Sequence, residues 1–353
     1  MIINIIIIQL VSFLSYSRLI FLTITFAVSF LTITAQNLNR FQDTISLTEN
    51  NSALSLIDSS FQLSKSLGNM NIGMRQPIGE KLKDTSVIFS DSSKLFSRKK
   101  IVGAGFLLNT AGVLYSGHKW WWKGEYHKFN FQYEGFLNDY AYGVDKCGHF
   151  YISYLYFNVV LNTMKWGGYS DKISTRTAIF IPFLWALTIE IADGYTKYAF
   201  SPDDLFANSL GITYGLLQTK YPYLQNFHVK WSYFPTDVDK WMRNDLSFTA
   251  DYDGHFYWLS CNTHELLPSA CKKYWPKFLN LAVGYGALNV SHGSTAPKIR
   301  KFAIGLDYNL AAIPIKGNTT RVIIHMLDYL KFPAPAFRKV QAKKGELKGF
   351  LLY

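Results

Sequence analysis

The sequence predicts a mainly α protein: a compact bundle of about four short apolar helices, followed by a small antiparallel β region and a C-terminal amphipathic helix. Three observations predict it. Apolar stretches of helical length recur through the middle of the chain, period-two alternation is confined to the C-terminal third, and polar residues stand at helical spacing inside the apolar stretches. With 353 residues, 49% apolar and 17% aromatic, the chain holds enough apolar material for a large core or a membrane-facing surface, which excludes disorder throughout. The net charge of +12 comes without an arginine-rich helix, a zinc-finger spacing or an aromatic RNA-binding signature. Nucleic acid is therefore not the expected partner, and anionic lipid headgroups are the more economical one.

Residues 1–35 form two apolar runs, Ile2 to Leu14 and Leu19 to Thr34, broken by Ser15, Ser17 and the cation Arg18, and Ala35 precedes a polar run. This is the pattern of a signal peptide or, if uncleaved, of an N-terminal anchor somewhat short of the ~20 residues a span needs. No cysteine ends the segment, so lipid attachment there is not expected. Residues 36–97 are rich in Ser, Asn, Asp, Lys and Thr without sustained periodicity, as in a disordered polar linker. The folded part starts at Arg98-Lys99-Lys100, with a first helix over Ile101 to Tyr115.

A helical domain over residues 98–225 follows. Trp120-Trp121-Trp122 and the aromatics after it suit either a lipid–water boundary or a small aromatic core under a loop. Three more apolar stretches, His149 to Met164, Thr177 to Ala192 and Leu205 to Leu217, are each shorter than the ~20 residues that cross a bilayer. Pro182, inside the second of these, is expected to kink it. The bundle is thus expected to sit in a membrane or to lie against one.

In residues 226–331, Phe278 to Leu288 and Lys301 to Leu310 alternate as antiparallel strands do, and Val229 to Phe234 and His255 to Leu259 add two more. A closing amphipathic helix is expected over Arg321 to Leu330, and residues 332–353 read as a basic tail. Cys147, Cys261 and Cys271 have no metal-binding spacing, although Cys261 and Cys271 are close enough in sequence for a disulfide.

The chemistry-bearing residues lie on the predicted helices. Asp145 and His149 are four apart, on one face if the helix already includes residue 145, which would let Asp145 orient the imidazole. Capping of the helix by Asp145 is the other reading. Glu190 and Asp193 are three apart at a helix C-terminus, where the dipole disfavours carboxylates, so an opposite charge is expected from Lys146, Lys197, His149 or a bound divalent cation. Ser201-Pro202-Asp203-Asp204 is a helix start, with Ser201 as cap and Asp203 mostly structural. Asp204 opens a stripe with Asn208, Gly211 and Gly215, whose glycines admit a close helix neighbour.

Asp145-Lys146-x-x-His149, Glu190-x-x-Asp193-Gly194 and Phe200-Ser201-x-x-Asp204-x-x-x-Asn208-x-x-Gly211 together resemble the YfiM-like family of predicted envelope proteins, over about residues 100 to 225. A more distant likeness is to VanZ-like membrane proteins, which share a D-K-x-x-H and a D-x-x-x-N-x-x-G. The resemblance implies an exported protein, membrane-associated and either periplasm-facing or in the outer membrane, but no reaction.

Two readings follow. In the first, the protein is a noncatalytic envelope component in which Lys146, Ser201, Asp204 and Asn208 join His149, Asp145, Glu190 and Asp193 in a structural or binding cluster, with membrane lipid or an envelope protein as partner. In the second, His149 acts as base or ligand, oriented by Asp145, and Glu190, Asp193 and Asp204 bind a divalent cation or share proton transfer on a lipid or cell-wall intermediate. The first is preferred, because G-x-S-x-G, H-E-x-x-H and the phosphate-binding glycine loop are all missing from the sequence.

Overall fold

The computed structural model describes residues 98–351 except 116, 125, 243–247, 292–293, 315–323 and 342–344. The expected signal or anchor segment, the polar linker, the start of the closing helix and parts of the basic tail lie outside the described residues.

Helix α1 (98–115) lies on the bundle through Val102, and its first-turn cations sit over aromatic rings, Arg98 on Trp166 and Lys99 on Tyr169. Helix α2 (Val144–Trp166) is apolar nearly all round, which is the pattern of a central helix. It packs against α3 (Asp171–Asp193) and α4 (Pro202–Lys220), with Phe157, Val160, Leu161 and Met164 in the shared core. Ser170 caps α3 and Ser201 caps α4, each hydroxyl accepting a first-turn amide. By length and composition alone, α3 is apolar enough to cross a membrane, and Phe180, Leu184 and Ile191 on it are exposed.

The expectation of a mainly α protein is overturned by the second half of the chain. There six strands, β1 (Phe227–Tyr233), β2 (His255–Cys261), β3 (Leu279–Leu288), β4 (Ile299–Tyr308), β5 (Ala334–Val340) and β6 (Glu346–Leu351), form one antiparallel sheet in sequential order. The first four fall where alternation is visible in the sequence. β5 and β6 occupy the stretch that reads as a basic tail, because their inward residues include the small Ala334 and Ala336 while Arg338, Lys339 and Lys348 dominate the composition. Arg338 and Glu346 face each other across the two strands and pair at 2.5 Å, so part of the charge run is cross-strand pairing. Of the expected closing helix, 324–327 form one helical turn, after which Leu330 bridges to Trp231. Cys261 and Cys271 are both free thiols.

One face of the sheet encloses Phe256, Trp258, Ala282, Ala303, Ala336 and Leu351. At its β1–β2 end the other face packs on α2, where Trp231 and Tyr233 meet Tyr151 and Leu155. This contact brings the loop before β2 against the first turn of α2.

Candidate functional site

The site is built where α2 begins. Gly143, at φ +81°, turns the chain into the helix, and its amide is accepted by Asp139 Oδ1 at 2.6 Å. A side chain here would be strained in backbone conformation and would press on Phe136 O at 3.0 Å. Because the helix starts at Val144, Asp145 lies within its first turn, on the same face as His149, and is not its cap. Both residues face α4, whose first turn presents Asp204 and, one turn later, Asn208.

Lys146 is the centre. Its ammonium lies 2.5 Å from Glu134 Oε2, 2.5 Å from Asp204 Oδ1, 3.0 Å from Asp145 Oδ2 and 3.9 Å from Asp139 Oδ2. Burial works against the charged ammonium, but Asp145 and Asp204 outweigh it and hold Lys146 above the ordinary lysine value. Burial likewise pushes the Asp145 carboxyl up, yet His149 and Lys146 pull harder and hold it low. Glu134 and Asp139 are raised, burial being the largest cause for each.

His149 is the most exposed member, with 26% of its side chain accessible. Ser153 Oγ donates to Asn208 Oδ1 at 2.7 Å, which turns the Asn208 amide nitrogen toward His149 Nδ1 at 3.2 Å. An amide nitrogen only donates, so Nδ1 accepts and the proton of the neutral ring sits on Nε2. Nε2 is 3.6 Å from Asp204 Oδ1 and 3.7 Å from Asp145 Oδ1, close enough for charge attraction and too long for a hydrogen bond. Burial lowers the imidazole pKa, but Asp204, Asp145 and Glu190 together raise it above the ordinary value.

Glu190 and Asp193 take neutral partners. Glu190 Oε2 accepts the Ser201 amide at 3.0 Å, and Asp193 Oδ1 accepts the Trp122 indole N–H at 2.7 Å. Burial pushes Glu190 up to about 8 and Asp193 up to about 6. A raised carboxyl keeps its proton in the folded protein where the unfolded chain has released it. Its stabilising contribution is therefore complete below the ordinary value of 4.5 and disappears as pH rises through about 8. Glu190→Gln keeps an acceptor for Ser201, so relative to this variant the wild type is expected to lose stability steadily from about pH 5 to about pH 8. Urea unfolding across that range checks it, and parallel curves would exclude Glu190 as the source.

The structure therefore brings Asp145, Lys146, His149, Asp204 and Asn208 together, with Glu190 joined through the backbone of Ser201 and Asp193 held on the side of Trp122. Sequence reasoning missed three participants. Glu134 and Asp139 lie in an irregular segment with no period, where the only local signal is an acid beside a glycine, Glu134-Gly135. Tyr252, whose hydroxyl donates to Asp145 Oδ1 at 3.1 Å, comes from the sheet half of the molecule and left no sequence signal. Asp203 receives the amides of Glu134 and Gly135, at 2.8 and 2.9 Å, and so holds that segment against α4.

Among the described residues Asp145, His149 and Asp204 offer ligand atoms within 4.8 Å of one another, as do Glu134, Asp139 and Asp145. Lys146 lies between these two groups and already supplies a positive charge to both. A separate cavity of about 240 Å³ lies beside Trp122, lined by Tyr126, His127, Ala192 and Tyr195.

The stretch from Glu134 to the end of α4 thus contains every acid and base of the cluster. Residues 134–220 match a family described as predicted periplasmic lipoproteins (DUF2279). The match covers less than half of the chain but spans every acid and base of the cluster, and it supports an exported, cell-envelope domain to which no function is assigned. No curated protein and no solved structure matches the chain.

Proposed function

We propose that this is a noncatalytic, membrane-associated component of the cell envelope, in which the buried charge cluster is a lock that fixes how the helical domain is assembled. The observation that carries this reading is the placement of the Lys146 ammonium among Glu134, Asp145 and Asp204, all buried or nearly so. One cation ties the segment before α2, α2 itself and α4, and Tyr252 extends the tie to the sheet. An active site needs a reacting group open to substrate, whereas here His149 alone among the central residues reaches the surface. The motifs that resemble those of YfiM-like proteins, and more distantly of VanZ-like ones, fall on these same residues. Association with a membrane is supported by the exposed apolar residues of α3 and by the positive net charge.

A second reading is favoured by one observation: Asp145, His149 and Asp204 have the donor set and spacing of a divalent-cation site that opens to solvent at His149. In it the protein is a membrane-associated, cation-dependent enzyme acting on a lipid or cell-wall intermediate. Purification of wild type and His149→Ala from native membranes separates the two. The lock reading predicts a stability loss of about 1 kcal/mol from the missing Asn208 bond, with no metal in either sample by mass spectrometry. A stoichiometric metal present in wild type and lost from a folded His149→Ala protein would establish the cation reading instead.

A further inference from the structure

The sheet carries buried charge on its enclosed face, beside the apolar cluster of Phe256 and Trp258, and its large exposed apolar residues on the other. Its enclosed face carries Lys230, whose ammonium is 2.8 Å from Asp307 and 2.9 Å from Asp328, with both Lys230 and Asp307 buried. Ser260 adds a 2.6 Å hydrogen bond to Asp307. The opposite face carries an apolar row that runs in register through every strand: Val229, Leu259, Val283, Ile304, Phe337 and Leu347. From β3 onward the row is open, with Val283 49%, Ile304 62%, Phe337 50% and Leu347 78% exposed. An antiparallel sheet with one face in water ordinarily shows the opposite arrangement, polar outward and apolar inward. Apolar-out with polar-in is what hydrocarbon selects.

The two ends of β3 carry a second signature. Where β3 ends and β4 begins, Arg300 lies 4.6 Å and Lys298 5.6 Å from the Tyr142 ring. Where β3 begins, Lys273 lies 4.7 Å from the exposed Tyr274 ring. Aromatic rings with cations at both ends of an apolar band match the two edges of a lipid layer, the rings at headgroup depth and the cations on phosphate.

From these observations we infer that the outer face of β3–β6 rests on the acyl chains of an anionic membrane, with the aromatic–cation pairs at the headgroups. Among the described residues no pairing joins β6 to β1, and a sheet that is not closed is placed on the bilayer and not across it. Buried charge on the enclosed face favours lipid over a protein partner, because a protein interface gives no reason to place the charges inside. The inference deepens the membrane-associated reading above and rests on it.

Site-directed nitroxide labelling tests it on the full chain in phosphatidylethanolamine–phosphatidylglycerol vesicles. Cys147, Cys261 and Cys271 are replaced by alanine, and single cysteines are placed by Ile304→Cys, Phe337→Cys and, as an exposed control, Lys277→Cys. Each protein is first floated with the vesicles and checked by circular dichroism, and Leu347→Cys substitutes for any label that disturbs the fold. The expected result is a several-fold higher ratio of oxygen to aqueous-nickel collision at 304 and 337 than at 277. If the protein floats while 304 is as open to nickel as 277, the lipid-facing sheet is wrong and membrane association stands. If 304 is closed to both reagents, another protein surface covers the face and the inference falls. If the protein does not float, both readings fall.

Discussion

Lys146→Met is expected to lower the unfolding free energy by about 3–5 kcal/mol at neutral pH, the penalty of leaving buried carboxylates without their cation. The ammonium touches Glu134, Asp145 and Asp204, and methionine is likewise unbranched, ending one atom short of the ammonium and supplying no charge. The sign with pH follows from linkage. Without Lys146 these carboxyls move to higher pKa in the folded protein, so the deficit is greatest where they must ionise and shrinks as acid protonates them. Urea unfolding near pH 7 and near pH 5 should therefore show a large gap between variant and wild type that narrows at the lower pH. Lys146→Met combined with Asp204→Asn removes one negative charge with the positive one and should recover part of the loss. Wild-type stability in the single variant would mean that Lys146 holds nothing together, and the lock would have to be abandoned.

How much of this was legible in the sequence depends on whether a residue announces itself within its own element. The face shared by Asp145 and His149 follows from a spacing of four, and the cap at Ser201 follows from Ser-Pro-Asp-Asp, because both are set by local helix geometry. The strands β1 to β4 are visible because β3 in particular alternates large apolar residues with small or polar ones. The direction of that alternation carried no such signal. Leu281 and Val283 look like core residues in sequence, yet they lie outside while Asn280 is enclosed. Which face of a sheet is covered is decided by packing, and here α2 covers β1, β2 and only the far end of β3. β5 and β6 were hidden for a related reason: Ala334 and Ala336 need only be small to fit the enclosed face, so they show no hydrophobic pattern beside Arg338 and Lys339. Glu134 and Asp139 reach Lys146 only because Asp203 and Gly143 fold their segment back, which no period in that segment records.

Gly211→Ala is the second substitution with a large expected effect, and it tests the helix contact on which the cluster depends. A β-carbon at 211 would lie 2.1 Å from the carbonyl oxygen of Phe150 and 3.0 Å from the amide nitrogen of Tyr154. Both atoms belong to the backbone of α2, so no rotamer change relieves the clash and the two helices must separate. Alanine by itself favours a helix over glycine by about 1 kcal/mol, and overpacking of a rigid contact costs about 1–3 kcal/mol or more. With backbone as the obstacle the second effect wins, and a net loss of about 2 kcal/mol is expected. Gly103 in α1 provides the control, because nothing lies within 4 Å of a β-carbon there. The same substitution at 103 should be neutral or stabilising by up to about 1 kcal/mol. Separation at 211 also pulls Asn208 from Ser153 and His149, and Asp204 from Lys146, so Gly211→Ala and Lys146→Met should combine less than additively. Strict additivity would mean that the glycine contact and the charge cluster are independent features that merely share two helices.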